Sequence, residues 1–139
     1  MQKERARKVY YCPVEVTLDK IGGKWKPLVL WYLKGKTRRF GELKRLIPNI
    51  TEKMLTEKLR ELEADGLVNR EVYREVPPKV EYSLTRYGRS LDDLLERLCA
   101  WGKSHAKRSN IEINPSLPTA SGRAEFNWDH YFSLLENQN

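Results

Sequence analysis

The chain has 139 residues, enough for one ordinary domain with short appendages, and carries 26 Lys and Arg against 19 Asp and Glu, a formal charge of +7. Its two cysteines, Cys12 and Cys99, are too few for a disulfide scaffold, which makes a reducing compartment the default. No run approaches the roughly 18 apolar residues of a membrane span, and residues 1–11 are too charged for a secretory signal, so no membrane partner and a cytoplasmic location are expected.

In chain order, residues 1–11 read as a basic arm with Lys3, Arg5, Arg7 and Lys8. Val14 to Ile21 suits a short helix entered through Pro13 and broken by Gly22-Gly23. Pro27 suits the first turn of a second helix, where a missing amide proton costs little. That helix, Leu28 to Leu33, is apolar almost all round and is expected to be buried. Lys34 to Arg39 reads as a basic turn. Phe40, Leu43, Leu46 and Ile47 recur at helical spacing and stop at Pro48. Thr51 then offers an N-cap oxygen to a fourth helix, which runs to about Asp65 and ends at Gly66. Leu67 to Glu75 and Val80 to Leu84 read as two strands around Pro77-Pro78. Thr85 is expected to cap a last long helix with Leu91, Leu94, Leu95, Leu98 and Trp101 on one stripe. Residues 110–122 have a linker composition, and the tail 123–139 is rich in aromatic side chains.

The order of these elements points to function more than any single residue does. Two helices joined by the short Pro48–Thr51 turn, followed by a hairpin, make a helix-turn-helix with a wing. At about 100° per residue, Leu55, Leu59 and Leu62 share one face of the fourth helix, and Lys53, Thr56, Glu57 and Arg60 share the opposite one. Arg60 and Lys53 can donate to guanine edges or phosphates, and Thr56 can touch a base; Glu52 and Glu57 repel phosphate but can accept from cytosine. Arg70, Tyr73, Arg74 and Lys79 surround the hairpin tip, and Lys34, Lys36, Arg38 and Arg39 precede the third helix. Charge supports the same partner: residues 1–110 hold 25 basic and 15 acidic side chains, while residues 111–139 hold 1 and 4. Double-stranded DNA is the expected partner, with Thr51, Glu52, Lys53, Thr56, Glu57, Arg60, Arg38, Arg39, Arg74 and Lys79 as the contacting set. The alternative is a winged helix that binds protein, which would favour an acidic or apolar recognition face.

Catalysis is not expected. His105 and His130 stand outside any metal-type pattern, Gly22-Gly23-Lys24 lacks the frame of a phosphate-binding loop, and no nucleophile elbow is present. No cofactor or metal is expected either.

Several stretches together resemble the HxlR-type winged-helix regulators, relatives of the MarR group. They are Cys12-Pro13-Val14, Leu18 to Trp25, Arg39-Phe40-Gly41-Glu42-Leu43, Ile50 to Thr56, Leu59 to Val68 and Val76 to Thr85, spanning residues 12 to about 104. The resemblance implies an α+β, mainly helical fold over residues 12–109, with a two-stranded wing and a C-terminal dimerisation helix. It also implies a homodimer held by the first and last helices, acting on an inverted-repeat operator. Finally, it implies that Cys12 senses oxidants or electrophiles. A helix start with basic residues nearby is a setting that favours a reactive thiol.

Overall fold

A computed structural model describes residues 8–113 of the chain. Residues 1–7 of the basic arm, most of the expected linker and the whole aromatic tail 123–139 lie outside the described residues. Five α-helices and a small antiparallel sheet make up the fold: α1 (Pro13–Ile21), α2 (Trp25–Leu33), β1 (Arg38–Arg39), α3 (Phe40–Leu46), α4 (Glu52–Ala64), β2 (Val68–Tyr73), β3 (Lys79–Leu84) and α5 (Asp92–Arg108). A 3₁₀ turn, Gly88–Leu91, leads into α5.

Leucine, isoleucine and valine side chains from α2, α3, α4, the sheet and α5 meet in one core. Leu30, Leu33, Leu43, Ile47, Leu55, Leu59 and Leu62 are almost wholly withdrawn from solvent. Each such burial is worth about 1.5–3 kcal/mol relative to exposure. The expected α2 is therefore confirmed, although Trp31 and Tyr32 are only partly covered.

Both ends of α4 are fixed by local chemistry. The Thr51 hydroxyl accepts a hydrogen bond from Met54 N at 3.1 Å, satisfying one orphan amide of the first turn. At the other end Leu67 N donates to Leu62 O and Gly66 N to Glu63 O, the paired bonds of a Schellman cap. Gly66 has φ +74°, a conformation open to glycine at little cost.

Two expectations need correction. The sheet has three strands in the order β1-β3-β2, because the supposed basic turn contributes Arg38 and Arg39 to an edge beside Tyr82 and Glu81. The wing proper is still the β2–β3 hairpin, in register from Val68 with Leu84 to Tyr73 with Lys79. Thr85 also caps the 3₁₀ turn, not α5 itself: its hydroxyl accepts from Gly88 N at 2.8 Å and donates to Gly66 O at 2.6 Å. Those two bonds tie the end of α4 to the approach of α5. Gly88 is required there, since a Cβ would stand 2.1 Å from the Leu67 carbonyl oxygen.

The stripe expected on α5 is split by the packing. Leu91, Leu94 and Leu95 reach the core, but Leu98 and Trp101 remain exposed. Helix α1 is similar in that only Ile21 is buried, while Val14 and Leu18 stay open to solvent.

Candidate nucleic-acid interface

With the leucines of α4 turned inward, Glu52, Lys53, Glu57 and Arg60 are presented outward, as the face arithmetic expects. Thr51 is exposed at the start of the helix with its oxygen committed to the cap. Thr56 is half-buried, and its hydroxyl donates to the Glu52 carbonyl at 2.8 Å, which leaves it an acceptor toward any base. Lys58 is drawn sideways to Glu61, which also takes Lys26 of α2 at 2.9 Å. Those lysines, Lys26 foremost by its hydrogen bond, hold the Glu61 carboxyl below the usual glutamate range. The Lys26–Glu61 pair links α4 to α2.

The basic side chains around the helix do not form one uniform patch. Arg38 is only 4% exposed; its Nε donates to the Tyr32 carbonyl and a second nitrogen lies 3.8 Å from Glu42. It is a structural residue that ties β1 to α2 and α3, so the expectation that it meets DNA is corrected. Lys34 is likewise engaged, pairing with Glu96 of α5. Arg39, the next residue on β1, does face outward.

On the wing, Arg74 is exposed just beyond β2. Lys79 is half-buried, 2.8 Å from Glu81 and 4.8 Å from the centre of the Tyr73 ring. The hydrogen bond that Lys79 donates to Glu81 holds the lysine pKa above its ordinary range. Because Glu71 and Glu81 stand opposite each other on this face, the wing is closer to balanced charge than its sequence suggests.

Arg70 belongs elsewhere than the sequence grouped it. It lies opposite Tyr82 in the hairpin register, away from the tip. There it lines a cleft of about 360 Å³ together with Thr56, Arg60 and Glu63 of α4. Two arginines from different elements thus converge beside the outer face of α4. Strand register brought them together, and no sequence spacing reports it.

Cys12 is exposed at the N-cap of α1. The Glu15 carboxylate accepts from Tyr11 N at 2.7 Å and Cys12 N at 3.3 Å, which fixes the entry into the helix. Lys8 and Tyr10 both reach Asp19, at 3.0 and 2.5 Å, and fold the preceding segment back along α1. Cys99 is half-buried on α5, and neither cysteine forms a disulfide among the described residues. No cluster of His, Cys, Asp and Glu suited to a metal occurs among the described residues, and no described helix is long and apolar enough to cross a membrane.

Comparison with known proteins agrees with this arrangement. A family model for the HxlR-like helix-turn-helix matches residues 20–110. The uncharacterized HTH-type transcriptional regulator YtcD of Bacillus subtilis is 60% identical over 102 residues, covering 73% of this chain and 81% of the relative. Its crystal structure superposes with a TM-score of 0.67 over 70% of this chain and 99% of that one. The redox regulator HypR is similar in both its forms. The oxidized structure has a TM-score of 0.65 at 56% identity, covering 67% of this chain and 96% of HypR. The reduced one has 0.68 at 50% identity, covering 73% and 100%.

Proposed function

The chain belongs to the HxlR-like helix-turn-helix family, whose members here are transcription regulators and not enzymes, and from that premise we propose that it binds double-stranded DNA sequence-specifically as a homodimer. The observation that carries this reading is the outer face of α4, where Lys53, Glu57 and Arg60 project from a helix fixed at both ends. Such a face fits the major groove, with Arg60 and Lys53 as donors and Glu52, Thr56 and Glu57 as acceptors toward base edges. Arg39, Arg74 and Lys79 serve the phosphate backbone, Lys79 after exchanging Glu81 for a phosphate oxygen. Thr51 and the N-terminal end of α4 favour an adjacent phosphate as well.

The dimer is held through α1 and α5. Val14, Leu18, Leu98 and Trp101 support this, because they are exposed on those two helices among the described residues. A two-fold pair would place the two α4 helices on successive major-groove faces, hence an inverted-repeat operator.

Cys12 is the candidate redox element. It opens α1, so reversible oxidation there, or a bridge to Cys99 of the partner subunit with loss of two protons and two electrons to the oxidant, would act directly on the dimer.

A mobility-shift titration on the promoters of its own and adjacent genes tests the DNA reading. Binding should weaken steeply with salt, and a palindromic site should outcompete bulk DNA. Absence of binding to any duplex at low salt would overturn it in favour of a protein-binding winged helix. Comparing wild type with Cys12→Ser after a thiol oxidant tests the redox element: equal responses remove Cys12 from it.

A further inference from the structure

The hairpin that forms the wing has two unlike faces. Side chains alternate across a strand, so Arg70 and Val72 of β2 share a face with Tyr82 and Val80 of β3. Glu71 and Tyr73 share the other face with Glu81 and Lys79. The first face continues the one on which Val68, Tyr82 and Leu84 are buried, and its Arg70 lines the cleft beside α4. Both strand carboxylates of the wing therefore lie on the face turned away from the recognition helix. Beyond the Arg70–Tyr82 pair, the near face carries Val80, packed against the core, and Val72, half-exposed.

The tip extends this apolar run. Val76 is fully exposed there. Pro77 and Pro78 follow it; neither has an N–H to give a phosphate, and their rings stiffen the turn. Arg74 and Glu75, just before it, offset each other in net charge, so charge alone does not hold the tip on DNA. The reach of the hairpin matters as well. From Val68, which follows the end of α4, to Tyr73 the strand advances about 17 Å at roughly 3.4 Å per residue. A turn of B-DNA rises roughly 34–36 Å, which sets the nearest minor groove about half that distance from a helix seated in the major groove. A hairpin running along the duplex from α4 brings its tip to that groove.

We propose that Val76 enters the minor groove next to each α4 site and wedges into a pyrimidine–purine step there, bending the operator. This rests on the DNA-binding reading above and adds to it a sequence preference beyond the reach of α4. A valine side chain makes no hydrogen bond to a base, so it selects by the ease of deformation. Pyrimidine–purine steps unstack most readily, and apolar side chains at such steps kink the duplex. The expected position is about five base pairs from the centre of each half-site, half of a turn of roughly 10–10.5 base pairs.

The test is selection of duplexes from a random-sequence pool by the full chain and, in parallel, by Val76→Ala and Val76→Ser. Because Val76 is fully exposed, both variants should keep the fold, which circular dichroism checks. Wild type should enrich TA or TG steps about five base pairs from each half-site centre. The variants should enrich the same half-sites with that preference lost, and should bind the wild-type selected duplex roughly tenfold more weakly. Energy transfer between dyes on the two ends of that duplex should show them closer with wild type than with either variant. Variants that select the same flanking steps overturn the wedge, as does a wild-type complex whose ends stay as far apart as in free DNA. If wild type selects no duplex at low salt, the DNA-binding reading falls and takes the wedge with it. If wild type selects half-sites and the variants reproduce its flanks and its bend, the wedge alone falls.

Discussion

Leu55, Leu59 and Leu62 on α4 are sealed from solvent, whereas Val14 and Leu18 on α1 and Leu98 and Trp101 on α5 stay open to it, Trp101 at 65% exposure. Both sets are apolar residues at helical spacing, and the sequence presents them alike. What separates them is the supply of a partner surface within the chain. The face of α4 meets α2 and the sheet; among the described residues, the outer sides of α1 and α5 stay exposed. Periodicity thus identifies a face to be covered, and only packing says whether the same chain covers it.

The sharpest way to break this comparison is to truncate one residue of each kind. Leu59→Ala leaves a cavity under the recognition helix and should cost about 2–5 kcal/mol, read as a lower urea midpoint. Leu98→Asp, placed on the open side of α5, should leave the helical content of the protomer intact. It should instead weaken self-association by tenfold or more, about 1.4 kcal/mol, seen as monomer in sedimentation velocity. If Leu98→Asp unfolds the protein and leaves no folded monomer, the two faces are energetically equivalent after all.

The same contrast shows how much of the molecule was legible before its structure. The helices, the Thr51 cap, the Gly66 stop and the inward leucines follow from local patterns, because caps and faces are set within a few residues. Arg38 departs from the sequence expectation for a physical reason. A buried guanidinium needs acceptors, and Arg38 meets the Tyr32 carbonyl, six residues back, and the Glu42 carboxylate, four residues on, from an edge strand that a basic, turn-like stretch does not announce. Arg70 is close to the wing tip in sequence. Strand register carries it instead to Arg60 on α4. Charges are the residues for which sequence position says least, since a long side chain takes its role from whichever element arrives beside it.

A smaller effect tests that point on the recognition side. Arg60→Ala should lower operator affinity by about 1–3 kcal/mol and relax preference at one base position, with little change in salt dependence. Arg70→Ala should weaken specific and nonspecific DNA together and reduce the salt slope by about one. Competition shifts at two salt concentrations separate the two patterns. If both variants weaken binding uniformly, Arg60 holds phosphate and the reading of base edges rests on Lys53, Thr56 and the glutamates.

The smallest expected effect concerns the seam between the two regions, where α5 begins. Asp92 occupies the first position of that helix, a place that favours a carboxylate through the helix dipole. One of its oxygens, Oδ1, is nevertheless buried without a hydrogen-bond partner. Burial raises its pKa above the ordinary carboxylate value; Lys34 opposes that and Glu96 adds to it. A raised value means that the folded state holds the proton more tightly than the unfolded chain does. The stability this supplies is complete below the ordinary aspartate range and is lost as pH rises through the raised value. Asp92→Asn keeps the shape and removes the ionisation. Its unfolding free energy should therefore gain on wild type as pH climbs from that acid range toward neutrality, in urea titrations across the interval. A wild type that gains on the variant over the same interval would mean that the helix start and Lys34 outweigh burial, and that the seam favours the charged Asp92.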